Sequence, residues 1–436
     1  MGQMVSNSVD AELLDPAMDL VYELLRIFLP RPPVSAAASF SAHSSSPGGG
    51  SEDRLSALPD EILRNVISRL PAKAPALALR AARSPGPFPL RPPHPQLHGR
   101  APRRARALAP PPRRQGIFCL PSAKRLYLGA WRFPNTAALP RGTAFPHLLE
   151  LSLGCMALED RDLDFILARS PVLESFVLYS SQKAVNFSII SRSLRCVQLC
   201  MCIVRDISVV NAPRLERLFL WEMIPRPCRH KVRTRVKIDH APNLCLVGYL
   251  VPGVHTLEIG DTIIKASPRT IVPTVKTLAL MVHFEVRNEA KMIPSFLRCF
   301  PNTETLHIKS EETDQPAGKL NQKFWKETSG IDCVQSHIRE MVFHEYRGER
   351  SELAFLKFML ENALVLQKMI IIFVNGSLSS GNNAAAKLMN GISSVKKASE
   401  KCRVVLLESS LSRGSSPWDY QAASNLAVAD PFYWCY

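Results

Sequence analysis

The sequence predicts an α/β fold: a solenoid of short strands over residues 120–320, a short helical unit near the start, and a strand–helix–strand cap toward the end. Three observations point there. An apolar pattern recurs at nearly regular steps, one helix separates its apolar and polar halves almost completely, and the period of the apolar residues changes between 324 and 375.

The recurring unit is an apolar residue, two variable ones, an apolar, a variable and an apolar. It stands at Leu148–Leu151–Leu153, Leu173–Phe176–Leu178, Leu194–Val197–Leu199, Leu215–Leu218–Leu220, Val254–Leu257–Ile259 and Val275–Leu278–Leu280, with a partial copy at Leu306–Ile308. From Leu151 to Leu218 the middle positions step by 25, 21 and 21 residues. Pro171-Val-Leu-Glu, Pro213-Arg-Leu-Glu and Pro242-Asn-Leu-Cys open three of the units. This spacing is the leucine-rich-repeat pattern. Each unit supplies one strand that cannot bury its own apolar face, so neighbours must stack.

Phe324-Trp325 opens the closing unit. Ile338–Met341–Phe343 and Leu366–Met369–Ile371 read as strands, and Leu353, Phe355, Leu356, Phe358, Met359, Leu360 and Leu364 have helical spacing between them, behind the acids Glu349 and Glu352. After it come a basic, helical stretch over 384–401, a strand at Val404–Leu407, and then little order.

Near the start, the apolar Leu58, Ile62, Leu63, Val66, Ile67 and Leu70 fall within about 180° of a helical wheel, and Asp60, Glu61, Arg64, Asn65 and Ser68 fill the other half. Pro59 and the two acids suit a helix start and Pro71 a stop. Upstream, residues 9–29 predict an amphipathic helix interrupted near Pro16, and the Ser, Ala, Pro and Gly of 34–51 predict a flexible linker.

The net charge of +16 is unevenly spread. Residues 1–70 carry 5 Lys and Arg against 9 Asp and Glu, whereas 71–115 carry 10 basic residues and no acid. Twelve Pro, ten Ala and nine Arg make up most of that tract, and proline at this density blocks helix and sheet alike. It reads as a disordered linker, as GC-rich DNA translated out of frame, or as a basic tail for nucleic acid. A nucleic-acid surface is more often a folded basic face, which argues against the third.

A hydrophobic content of 46% with 21% charged residues excludes a wholly disordered or collagen-like chain. No apolar run reaches the ~18 residues of a membrane span, and residues 9–30 are too acidic for a secretion signal. The chain therefore reads as cytoplasmic or nuclear, with its eleven cysteines reduced. No Walker loop, dinucleotide fingerprint, nucleophile elbow or zincin motif is present. Cys196, Cys200 and Cys202 cluster, but no second ligand pair sits at zinc-site spacing, so they are expected to pack as small hydrophobes. Cys228 with His230, and Cys333 with His337, carry no catalytic context. The stretch from Arg226 to Lys237, with six basic residues and no acid before Asp239, reads as a solvated loop.

Leu58-Pro59-Asp60-Glu61-Ile62-Leu63, Ile67 and Leu70-Pro71-Ala72-Lys73 together resemble the first helix of an F-box, and the chain is similar to the plant F-box proteins that continue into leucine-rich repeats and an FBD domain. The second half of the F-box, with its Ser-x-x-Trp-Arg-like segment, is missing or replaced by the Pro/Arg tract. The resemblance implies a non-catalytic substrate receptor of an SCF-type ubiquitin ligase, needing no cofactor or metal. Its F-box docks on a Skp-family adaptor, and through it a cullin, by way of Leu58, Pro59, Ile62, Leu63, Ile67, Leu70 and Pro71. The repeats hold a protein target. The implied layout is 1–51 N-terminal region, 52–73 F-box-like helix, 74–119 linker, 120–320 repeats, 321–376 FBD-like domain and 377–436 extension. The alternative is a repeat scaffold uncoupled from the ligase because its F-box is incomplete.

Limited trypsin treatment is expected to cut first among Arg100, Arg103, Arg104 and Arg106 and to leave a fragment from about 120 to beyond 375. Protection of those arginines would contradict the linker reading.

Overall fold

The computed structural model describes residues 123–435, apart from 130–135, 137–138, 140–141, 182, 222–232, 260–261, 264–270, 314–315, 317, 319, 329, 378–382 and 411–417. The F-box-like helix and the Pro/Arg tract lie outside the described residues.

Among the described residues, eleven strands form one sheet, every neighbouring pair parallel. In spatial order they are β1 (Arg125–Gly129), β2 (Glu150–Gly154), β3 (Ser175–Tyr179), β5 (Cys196–Cys200), β7 (Arg217–Trp221), β9 (Leu246–Leu250), β12 (Thr277–Val282), β13 (Thr305–Ser310), β14 (Glu340–Tyr346), β15 (Lys368–Phe373) and β16 (Arg403–Glu408). Five others form a second sheet: β4 (Val185–Ile190), β6 (Val204–Asn211), β8 (Thr234–Ile238), β10 (His255–Ile259) and β11 (Thr262–Ile263). Parallel neighbours need a crossover, and the chain supplies two kinds. In the middle the crossovers are the strands of the second sheet. Elsewhere they include helices: α1 (Asp160–Arg169) after β2, α2 (Arg287–Ala290) and α3 (Ile293–Cys299) after β12, α4 (Gln322–Glu327) and α5 (Asp332–Ser336) after β13, α6 (Arg350–Asn362) after β14, and α7 (Ala384–Ser393) after β15.

The sequence pattern fixes the register. One row crosses the whole main sheet through Leu126, Leu151, Phe176, Val197, Leu218, Val247, Leu278, Leu306, Met341, Met369 and Val404. These residues join the helices and the second sheet in one core, where Phe176 meets Phe187 at 5.3 Å between ring centroids. A one-residue slip would turn the row outward, so burial of its residues from Leu151 to Met369, at about 1.5–3 kcal/mol each, holds the pairing.

Three departures from the sequence pattern have physical causes. Leu257 and Ile259 of the Val254–Leu257–Ile259 copy belong to the second sheet, because alternate residues along its strands also turn to the core, while Val254 precedes β10 and packs on the outward side of the main sheet. The unit missed in the main sheet is Leu244–Val247–Leu250: a register shift sets Leu250 rather than Tyr249 opposite Leu280, and this breaks the six-residue spacing. The copy at Leu306–Ile308 is partial because its first position is Thr303, fully buried, whose hydroxyl donates to the Phe300 carbonyl at 2.9 Å.

The closing unit has the expected strand–helix–strand order in β14, α6 and β15, yet its strands continue the main sheet in register, and β16 adds one more. Trp325 packs on Phe355 and Phe358 at 5.1 and 5.0 Å between ring centroids. Of the two acids, Glu349 is the N-cap and Glu352 stands in the first turn of α6, where it accepts from the Glu349 amide at 2.9 Å and from the Ser310 hydroxyl. Leu364 falls beyond α6 and is exposed. The helical stretch expected over 384–401 ends at Ser393. Part of the expected basic loop is β8, where Arg235 pairs with Asp206 at 2.5 Å and Lys237 with Asp239 at 3.2 Å. No helix among the described residues is long and apolar enough to cross a membrane.

Leu218→Ala is expected to cost about 2–5 kcal/mol, because Leu218 is fully buried in the middle of the row, whereas Ile190→Ala, at an exposed position, should stay within about 0.5 kcal/mol. Urea denaturation compares the two. Equal midpoints would contradict the register.

Candidate interaction face

Strand residues alternate between faces, so each repeat strand that turns a leucine to the core turns the residue beside it to the opposite face of the main sheet. There the row is Ser152, Val177, Gln198, Phe219, then Gly248, and beyond the shift Ala279, His307, Val342, Ile370 and Val405. Gly248 has a steric reason: a Cβ there would lie 2.3 Å from that of Ala279.

This face is also buried, and the chain's own C-terminal segment covers it. Trp418, Tyr420, Ala423 and Phe432 pack in one cluster with Val177, Tyr179, Cys196, Cys200, Phe219, Trp221 and Tyr249. The Trp418 ring sits 5.1 Å from Phe219 and 6.4 Å from Tyr249, and Phe432 lies 5.2 Å from Tyr249 and 4.9 Å from His307. Farther along, Tyr433 packs beside Val342, Ile370 and Ile372.

Polar sheet residues fix the segment's position. Gln198 accepts from the Trp418 indole at 2.9 Å and donates to the Tyr420 carbonyl at 3.0 Å and the Ser424 hydroxyl at 2.9 Å. The Arg217 guanidinium donates to the carbonyls of Ala423 at 2.9 Å, Asn425 at 3.2 Å and Val428, at the carbonyl end of the short helix α8 (Tyr420–Ser424). A cation suits that end of a helix. Asp419 caps the other end, accepting from the Gln421 and Ala422 amides at 2.9 and 2.7 Å. His307 meets Asp430 at 2.8 Å through Nε2 and His344 at 3.1 Å through Nδ1. Gln198, Arg217 and His307 are buried, so each depends on these partners.

Burial pushes the Cys196 thiol up to about 12 and Cys200 well above its ordinary range; Cys333 is pushed up to about 12 for the same reason. Cys202 is buried on the core side, its thiol directed at the Leu178 and Cys200 carbonyls at 3.5 and 3.2 Å. Thiols held protonated by burial are poor nucleophiles. Among the described residues, no group of three His, Cys, Asp or Glu side chains gathers as a metal site. What the face offers is an aromatic pocket, a guanidinium, an amide and an imidazole, which together hold a peptide segment.

The adaptor-docking residues read from the sequence, Leu58, Pro59, Ile62, Leu63, Ile67, Leu70 and Pro71, lie outside the described residues, as do Cys228 and His230. Gln198, Arg217, His307 and His344 escaped the sequence reading because leucine periodicity is silent about outward positions. The tail gave a sign: two of the five tryptophans and three of the eight tyrosines stand in its last 19 residues. That composition suits burial, not the little order expected after residue 407.

Comparison with known proteins bears on the same regions. The family model described as FBD-associated F-box protein At5g56370, LRR repeats, matches residues 97–308, and the FBD model matches 326–371. The F-box/FBD/LRR-repeat protein At2g26030 of Arabidopsis thaliana is 24% identical over 170 residues, 39% of this chain and 36% of that protein. The FBD-associated F-box protein At3g52670 of the same plant is 23% identical over 286 residues, 61% of this chain and 64% of that protein. The chain thus spans less than two thirds of either relative. No solved structure matches it.

Burial, with the His307 and Lys309 charges, holds His344 well below the ordinary imidazole range. Burial pushes the Asp430 carboxyl up, but the His307 charge and hydrogen bond outweigh it and leave Asp430 below its usual range. Both signs agree. The unfolded chain takes up the His344 proton near about 6.5 while the folded chain refuses it, so stability present at neutral pH is lost as pH falls below that value. Asp430 adds a further loss in the acid carboxylate range. The urea midpoint is expected to drop from pH 7.5 to 5.5, and His344→Gln should remove up to about 1.4 kcal/mol per pH unit of that slope. An unchanged slope would contradict this placement of His344.

Proposed function

We propose that this chain is a member of the plant F-box, leucine-rich-repeat and FBD proteins and serves as the non-catalytic substrate-recognition subunit of an SCF-type E3 ubiquitin ligase. The F-box-like helix docks on a Skp-family adaptor, the adaptor tethers it to a cullin, and the repeat sheet holds the target protein in the cytoplasm or nucleus. The observation that carries the reading is the outward face of the main sheet, where Gln198, Arg217 and an aromatic pocket hold a peptide segment by its carbonyls and rings. Ubiquitin transfer belongs to other members of the complex.

On the docking side, the support is Leu58-Pro59-Asp60-Glu61-Ile62-Leu63 and the apolar half of its helix. An apolar half this wide needs a partner surface. Burying Ile62 or Ile67 contributes about 1.5–3 kcal/mol each, against roughly 2–5 kcal/mol for ordering the helix as it binds. The Pro/Arg tract in place of the second half of the F-box favours a second reading, a repeat scaffold uncoupled from the ligase.

Co-purification with a Skp-type adaptor separates the two readings. Binding lost in Ile62→Asp or Ile67→Asp, and raised when an intact F-box replaces residues 53–115, is the expected result for the receptor. No adaptor binding by the native chain selects the scaffold, and binding indifferent to both substitutions removes the helix as the docking surface. The purified chain is expected to conjugate no ubiquitin by itself, and conjugation without added ligase components would contradict the non-catalytic role.

A further inference from the structure

We infer that the C-terminal segment from Trp418 to Tyr433 is a tethered pseudo-ligand: it occupies the outward face of the main sheet in place of a target segment of the same chemistry, and the two compete. This rests on the reading of that face as the target-binding surface. The segment contributes no strand to the sheet and no side chain to the main core. It lies across β3, β5, β7, β9, β13 and β14 as a bound peptide lies in a groove. Its contacts are those of recognition. One indole enters an aromatic pocket, one buried arginine gathers main-chain carbonyls that any sequence presents, and one carboxylate reaches one imidazole.

Those contacts state the partner's chemistry. It is a protein segment with an aromatic anchor, a short helical turn whose last carbonyls face Arg217, and a carboxylate placed to reach His307. A target that matches them displaces the strap, and a weaker match leaves the face closed. The strap thereby sets an affinity threshold, since a face already occupied lowers apparent affinity by the fraction of time it is open.

The test uses the full chain and a fluorescent synthetic peptide of residues 416–436. In Trp418→Ala/Phe432→Ala the tethered copy is weakened and the face is intact. The peptide is expected to bind this variant at least tenfold more tightly than it binds the native chain, and Arg217→Met in the same background should lose that gain. As a second measurement, a protease site is inserted between Ser409 and Trp418, the chain is folded and then cut, and the labelled peptide should exchange for the released segment. Equal binding to native chain and variant, with residues 146–376 still protease-resistant, overturns the proposal. If the variant unfolds, the cut chain decides, and failure of the peptide to exchange into it overturns the proposal too. Adaptor co-purification is independent of both arms, so a failure here leaves the receptor reading standing, and the converse holds.

Discussion

A parallel sheet has two faces, and in this protein both are covered, by different means. The repeats cover one face by themselves: each sends its chain back through a strand or a helix, and the returning elements share a core with the leucine rows. Among the described residues, none of these returning elements lies on the other face. Phe219, Trp221, Tyr249, Gln198 and Arg217 would stand there in water, and the last residues of the chain cover them. The outward face is covered instead by the segment from Trp418 to Tyr433.

The burial of polar groups shows how specific that cover is. Gln198 uses its amide oxygen and both classes of partner its nitrogen can find, and Arg217 spends its donors on carbonyls at the end of α8. A buried guanidinium left without acceptors is costly, so the segment and the arginine fix one another. The aromatic rings add apolar area, while the polar contacts choose the register. The same division of labour describes a receptor that reads an aromatic anchor and main chain together.

Much of the fold was legible because one strand face obeys a period. Leu151, Phe176, Val197 and Leu218 stand opposite one another as the spacing predicts, and the strand–helix–strand order of the closing unit follows from Met341, the 353–360 helix and Met369. The pattern failed where one residue altered the count, at Tyr249, and where a second sheet offered the same period, at Leu257. The interaction face was largely illegible. Outward residues obey no period, and Trp418 gains its environment from Phe219, 199 positions earlier in the chain. Only the density of aromatic residues in the tail hinted that it is buried.

Native-state hydrogen exchange on the full chain reads the cover of the outward face. The amides of Ala423, Asn425 and Phe432, each hydrogen-bonded under the strap's own packing, are expected to exchange orders of magnitude more slowly than a free peptide, with protection approaching that of β5 and β7. Exchange of those amides at the free-peptide rate, while β5 and β7 stay protected, would mean that the outward face is open and the strap is not its cover.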